Sequence, residues 1–325
     1  MIVAKKHILL LFLLAAGLLA GCTGSNEPEQ KAEIALRTGV TGLQRRAPGV
    51  DSNTALQALD LKIDAYFHET ETKYIDAAKL LYYSTSWIFW DGSAQLHYYW
   101  PFDGAVYDPA SANITYTSLD FVGYCPFAAP AYIDNLDYDP TDGVSFTCDM
   151  SSNMTLAEQA SMQEYLVAVL DAQTLETQTA AGGALPLQFK HPLAQIKFVI
   201  TAASGTNVQI NSIKIEDLYT GGTCNYDGSD MTWSSLSGTA NMLLEQVLKN
   251  GTATTETTPY FVIPNNYGTK YLTINATWDD WSDVTISDYG TNVNFSWEPG
   301  HSYTYNLTVD KYGLKVDIQK YTEQW

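Results

Sequence analysis

Basic residues are scarce in this chain: 17 Lys and Arg face 36 Asp and Glu over 325 residues, a formal net charge of −19. So negative a molecule repels phosphate backbones and anionic lipid headgroups, which excludes nucleic acid as a partner. Long hydrophobic runs are missing after the N-terminus, where no segment approaches the roughly 18 apolar residues that a membrane-crossing helix requires. Cysteine is sparse as well. Beyond Cys22 only Cys125, Cys148 and Cys224 remain, an odd number that cannot all pair in an oxidising compartment. A Cys125–Cys148 bridge and three buried free thiols both satisfy that count, and none of the three has zinc-ligand spacing.

Catalytic signatures are also lacking. His68, His97, His191 and His301 are scattered, with no HExxH, no GxSxG and no glycine loop for phosphate. The expectation is a protein that is not an enzyme and needs no cofactor or metal. "YIDNLDYDPTDG" places Asp134, Asp137, Asp139 and Asp142 ahead of Gly143. It resembles a calcium loop only faintly, lacking the twelfth-position glutamate, and reads as a solvated turn. "WDDWSD", from Trp278 to Asp283, reads as a hairpin turn rather than a carbohydrate platform. His191 has no catalytic partner in view; it is expected to make one local hydrogen bond where a strand begins.

What is present is aromatic and alternating, with 22 Tyr and 8 Trp. In "ALDLKIDAYF", Leu59, Leu61, Ile63, Ala65 and Phe67 share one face, with Asp60, Lys62 and Asp64 on the other. "AQIKFVI", "YLTINATW" and "SYTYNLTVDKYGLKVDI" alternate likewise, the last as a hairpin turning near "DKYG". "VQINSIKIEDL" breaks into two pieces, as at a bulge. Period-two patterning of this kind predicts antiparallel sheets with one wet face. Helices are expected over Thr155–Gln173, which opens with the capping-box pair Thr155 and Glu158, and over Ala240–Lys249.

The N-terminus carries a separate message. Lys5 and Lys6 precede an apolar run from Ile8 to Ala20 and small residues before Cys22, the layout of a secretory signal. Its ending, "LLAGC", resembles a bacterial lipobox, in which Cys22 becomes the lipid-carrying first residue. A polar tether, "TGSNEPEQ", follows. One acylated terminus holds a protein at a membrane surface without threading it through.

Three blocks, "LPLQFKHPLAQIKFVI", "TPYFVIPNN" and "WEPGHSYTYNLTVDKYGLKVDIQKYTEQW", resemble the fimbrillin family, the lipoprotein-precursor subunits of type V pili. The resemblance implies an all-β fold with minor helices, built from two transthyretin-like sandwich domains. Combined with the Gly- and Pro-punctuated "QTAAGGALP", it divides the chain into a signal at 1–22, a propeptide at 23–46, and domains at 47–185 and 186–325. It also implies an assembly route. The lipidated precursor reaches the outer membrane, an arginine-specific protease removes the first strand, and a strand from another subunit fills the vacated groove. Partners are therefore other fimbrillin subunits and that protease, with a host or bacterial surface ligand for an adhesive subunit.

"AEIALRTGVTGLQRRAPGV", residues 32 to 50, fits that scheme. Ala32, Ile34, Leu36 and Val40 lie on one face and Glu33 and Arg37 on the other, so the segment can plug an apolar slot. Aliphatic burial and ladder hydrogen bonds make such a strand worth on the order of 10 kcal/mol before ordering costs. Arg46–Ala47 is the preferred cut, with Arg45 the alternative; Pro48 and Gly49 keep the site out of regular sheet. Leu314, Val316 and Ile318 form the candidate donor strand and equally suit the last strand of their own domain. Exposed aromatics in "SWIFWDG", "HYYWPFDG" or around Trp278 and Trp281 would serve a tip adhesin instead.

Overall fold

A computed structural model describes residues 32–40, 52–101, 118–203, 208–245, 255–278, 284–310, 313–315 and 321–324. In chain order the elements are β1 (Leu36–Val40), α1 (Asn53–Gln57), β2 (Leu61–Phe67), β3 (Lys73–Tyr83), β4 (Ser86–Trp90), β5 (Gln95–Leu96), β6 (Leu119–Cys125), β7 (Ile133–Asp139) and β8 (Gly143–Asp149). There follow α2 (Leu156–Ala160), β9 (Leu166–Gln173), α3 (Leu175–Ala180), β10 (Leu185–Phe189), β11 (Ala194–Ala202), β12 (Val208–Tyr226), β13 (Met231–Glu245) and β14 (Thr255–Glu256). The chain closes with β15 (Tyr260–Val262), β16 (Asn266–Trp278), β17 (Val284–Ser296), β18 (His301–Asp310), β19 (Gly313–Lys315) and β20 (Tyr321–Gln324). The antiparallel sheets expected from the alternation, and the all-β class that the resemblance implies, are observed.

The first sandwich sets a sheet of order β5-β4-β3-β2-β6-β9 against the two-stranded pair β1-β10. Between them lies a core that includes Leu61, Ile63, Ala65 and Phe67 of β2, together with Phe121, Leu185, Leu187 and Phe189. In the second sandwich, β14-β11-β18-β19 faces β17-β16-β12-β8-β7, with β13 also paired to β12 and β15 to β11. Its core is built on Ile196, Phe198, Ile213, Ile274, Phe295 and Tyr305. Most pairings are antiparallel, but β1 with β10 and β11 with β18 are parallel.

A third core joins the sandwiches. Tyr66, Val122 and Val167, on the far side of the first sheet, pack with Tyr138, Phe146, Cys224 and Tyr226 of the second. The β2 face expected to be wet is therefore covered. Asp64 is buried there, accepting from the Ala77 amide at 2.6 Å and lying 3.4 Å from both Lys62 and Lys73. The strand β12 makes this arrangement possible. Its first half pairs with β16 and its second half, from Gly221 to Tyr226, with β8, over a length of roughly 60 Å. A register shift between Ile210 and Ser212 is the bulge its sequence suggests.

The domain division expected at residue 185 falls inside β10, whose apolar face belongs entirely to the first core. The β7–β8 hairpin, earlier in sequence, pairs into the second sandwich's sheet.

Two expected helices are corrected. The Thr155 capping box forms as its spacing requires, with the Glu158 amide donating to Thr155 Oγ1 at 3.3 Å and the Glu158 carboxylate accepting from the Thr155 amide at 2.8 Å; the helix nevertheless ends at Ala160. Leu166–Gln173 is instead strand β9, because Leu166 and Ala168 are buried in one core and Val167 and Val169 in another. A run buried on both faces has no polar side to show a period. Ala240–Glu245 likewise belongs to β13, with Met242 and Leu244 in the second core; 246–249 lie outside the described residues.

The three thiols Cys125, Cys148 and Cys224 are free and buried, and burial pushes that of Cys125 up to about 12. Without thiolate or access, none should react with a maleimide in the native protein, and all three should react in denaturant. Mass spectrometry of the labelled protein reads that count directly.

Candidate functional site

The residues from Ala32 to Val40 are not a loose leader but an integral layer of the first sandwich. Their first half hydrogen-bonds antiparallel to the segment Tyr98–Trp100: the Ile34 amide donates to the Tyr98 carbonyl at 2.8 Å, and the Trp100 amide to the Ala32 carbonyl at 2.9 Å. Their second half, β1, runs parallel to β10, with Leu36 opposite Leu185, Thr38 opposite Leu187 and Val40 opposite Phe189. Ile34 and Leu36 are 2% and 4% exposed, and Ala32 and Val40 pack partly buried on the same core. On the outer face Arg37 is exposed. Glu33 pairs with His97 at 2.7 Å, both nearly half exposed, a contact worth little.

Side chains complete the groove where backbone partners run out. Gln178, held in the short helix α3 by the Thr174–Thr177 capping box, is nearly buried. Its Oε1 accepts from the Ala35 amide at 3.0 Å and from Trp100 Nε1 at 3.1 Å, and its Nε2 donates to the Glu33 carbonyl at 2.9 Å. At the other end Asn53 Oδ1 accepts from the Val40 amide at 3.0 Å. Beneath β10 lies Gly123, where any Cβ would fall 2.8 Å from Leu187 and 2.9 Å from Phe189. A glycine there lets the groove's wall sit close to the sheet.

Cutting the bonds at Gln178 should loosen the strand without touching its sequence. Gln178→Ala leaves a buried amide and carbonyl unpaired, at about 1–3 kcal/mol each. The amides of residues 33–36 should then exchange with deuterium roughly 100-fold faster than in the parent, a figure that hydrogen-exchange mass spectrometry reads.

The candidate cleavage and lipidation residues, Cys22, Arg45, Arg46 and Ala47, lie outside the described residues, as do Val316, Ile318 and Trp281. Leu314 sits in β19, opposite Val309 of β18. Sequence reasoning missed Gln178, Asn53 and Trp100 as parts of the groove. Trp100 was grouped with surface aromatics but is a core residue. Gln178 bonds partners more than 70 positions away, and no local pattern marks it.

Elsewhere the remaining polar motifs are accounted for by structure. Asp139 closes the β7–β8 turn by accepting from the Thr141 and Asp142 amides at 2.7 and 3.0 Å, and these bonds hold its carboxyl below the usual range. Trp278 of β16 pairs with Val284 of β17, while residues 279–283 of "WDDWSD" lie outside the described residues. His191 is buried and meets the buried Glu164 through Nδ1 at 2.5 Å, a long-range partner rather than the local one expected. Gly300, at φ 65°, donates its amide to the Leu193 carbonyl at 3.1 Å. It thereby ties the "WEPGHSYTY" block to the "HPLAQIKF" block, whose strands β18 and β11 then run side by side, with β15 of "TPYFVIPNN" on the other edge of β11.

An all-β pair of sandwiches is the fold of several solved structures. A family model, Fimbrillin-like, matches residues 68–325, and the chain belongs to that family. Among solved structures, a fimbrial protein from Bacteroides vulgatus ATCC 8482 superposes with a TM-score of 0.62 at 15% identity, covering 90% of this chain and 99% of the other. A putative cell adhesion protein from Bacteroides uniformis ATCC 8492 gives 0.52 at 16% identity, covering 90% and 98%. One from Bacteroides ovatus ATCC 8483 gives 0.52 at 13%, covering 91% and 98%. Among curated proteins none matches the chain. The solved structures share the fold. Family membership supports a fimbrial-subunit or adhesin role at the cell surface, assembling with other fimbrial subunits, rather than catalysis.

Proposed function

We propose that the chain is a pilus subunit that matures by losing residues up to Arg46 and then accepts a strand from a neighbouring subunit in the groove left behind. The observation that carries this reading is the seating of residues 32–40: apolar side chains in the core, backbone bonded along both halves, and an exposed Glu33–His97 pair on the outer face. Removal of that layer uncovers Leu187 and Phe189 and leaves unpaired backbone groups on β10, on Tyr98–Trp100 and around Gln178. A vacancy of this kind captures an extended segment by β-augmentation. Before cleavage, a lipid on Cys22 would hold the precursor at the outer membrane.

The donor is less free than the acceptor. In the precursor β19 and β20 both pair with β18 of their own sheet, so the candidate donor strand of Leu314, Val316 and Ile318 begins in an occupied position. A stalk role requires its release. A chain that keeps it at home accepts a strand and donates none, which places it at the end of a polymer, where exposed residues such as Tyr83, at 66% exposure, are open to a glycan or protein ligand. The test is to sequence the N-terminus of the protein recovered from the cell surface. A start at Ala47 supports maturation by cleavage; an intact lipidated Cys22 as the sole species contradicts it.

A further inference from the structure

The groove holds its resident strand largely by features that any strand would satisfy. Toward the resident strand, Gln178 and Asn53 bond backbone atoms only, and so do β10 and the Tyr98–Trp100 segment. Such contacts cannot tell one occupant from another. Discrimination must come from the inward side chains at positions 32, 34, 36, 38 and 40. Four of these are aliphatic and packed on the core; the fifth is Thr38. Its neighbour in register is Leu187, a core residue; Thr38 is itself partly buried, and its Oγ1 is buried with no hydrogen-bond partner among the described residues. A buried hydroxyl without a partner is a standing cost to whichever strand carries it.

Resting on the strand-exchange reading above, we infer that Thr38 is the specificity-determining residue of the groove: an in-built mismatch that keeps the resident strand displaceable by an incoming strand bearing an aliphatic side chain at the same position. The site beside Leu187 is then an apolar subsite, suited to a Val, Ile or Leu from a second fimbrillin subunit. The resident strand stays because it is tethered to the same chain. Once the tether is cut, that advantage disappears and the hydroxyl tips the competition toward the replacement.

Thr38→Val replaces the hydroxyl with a methyl of nearly the same shape, and Thr38→Ser keeps the hydroxyl while removing the methyl. In the intact precursor, deuterium exchange at the amides of residues 33–40 should slow about tenfold in Thr38→Val and should not slow in Thr38→Ser. The second arm uses protein trimmed by an arginine-specific protease and offered a synthetic peptide of residues 32–40. The peptide carrying Val at position 38 should bind about tenfold more tightly than the peptide carrying Thr. Equal or faster exchange in Thr38→Val, or equal affinities for the two peptides, overturns the inference. Slower exchange in Thr38→Val, with trimmed protein that takes up neither peptide, upholds the mismatch and counts against strand exchange instead.

Discussion

Treatment of the purified precursor with an arginine-specific protease is expected to remove the residues through Arg46 and to turn a monomer into higher oligomers. The driving force is the area exposed when residues 32–40 leave. Ile34 and Leu36 each contribute about 1.5–3 kcal/mol of burial, and the hydrogen bonds to Tyr98, Trp100, Gln178, Leu185 and Asn53 about 1 kcal/mol apiece net. A monomer holding an open groove on that scale readily captures an extended segment, from a sister copy or another chain. Size-exclusion chromatography with light scattering follows the change. If trimmed protein assembles alone, the strand containing Leu314 leaves β18 and serves as donor. If it assembles only when a second fimbrillin subunit or a strand peptide is added, it is an acceptor at the end of the polymer. Trimmed protein that stays monomeric and takes up no strand contradicts the account.

The second large effect comes from one inward residue. Leu36→Asp should lose at least the about 2–5 kcal/mol typical of truncating a buried leucine, with the desolvation of a carboxylate beside Leu185 added to it. The strand escapes that cost by leaving its groove. Residues 33–40 should therefore exchange at nearly unprotected rates and the first sandwich should melt early, while β11 and β18 of the second keep their protection. Arg37→Asp, one position along on the exposed face, is the control, expected to stay within about 0.5 kcal/mol of the parent. Equal effects from the two changes would show that β1 does not face the core.

The N-terminal strand was legible because one of its faces is buried and the other wet, the condition under which period-two patterning survives in a sequence. β2 was legible on one face only. Its other face, with Lys62 and Asp64, is polar by composition yet covered by the third core around Tyr66, and the contacts that cover it come from β7 and β8, far along the chain. The strand β9 was read as helix for a related reason, since "LVAV" is apolar on both sides and the capping box ahead of it is genuine. Among groove residues, Ala32, Ile34, Leu36 and Val40 could be named from sequence because their chemistry is local. Gln178 could not, because its role exists only once α3 is brought beside Trp100 and residue 35. The blocks around His191, Tyr260 and Gly300, far apart in sequence, meet in one sheet.

The sharpest measurement is mass spectrometry of the assembled, cleaved protein after the oligomers have been separated from free peptide, combined with deuterium exchange at Leu187–Phe189. The account expects the peptide ending at Arg46 to be gone from the oligomer while β10 remains protected, its edge now paired with a strand of another subunit. One copy of that peptide retained per subunit, with β10 equally protected, would mean that the first strand never leaves and that assembly proceeds by some other contact.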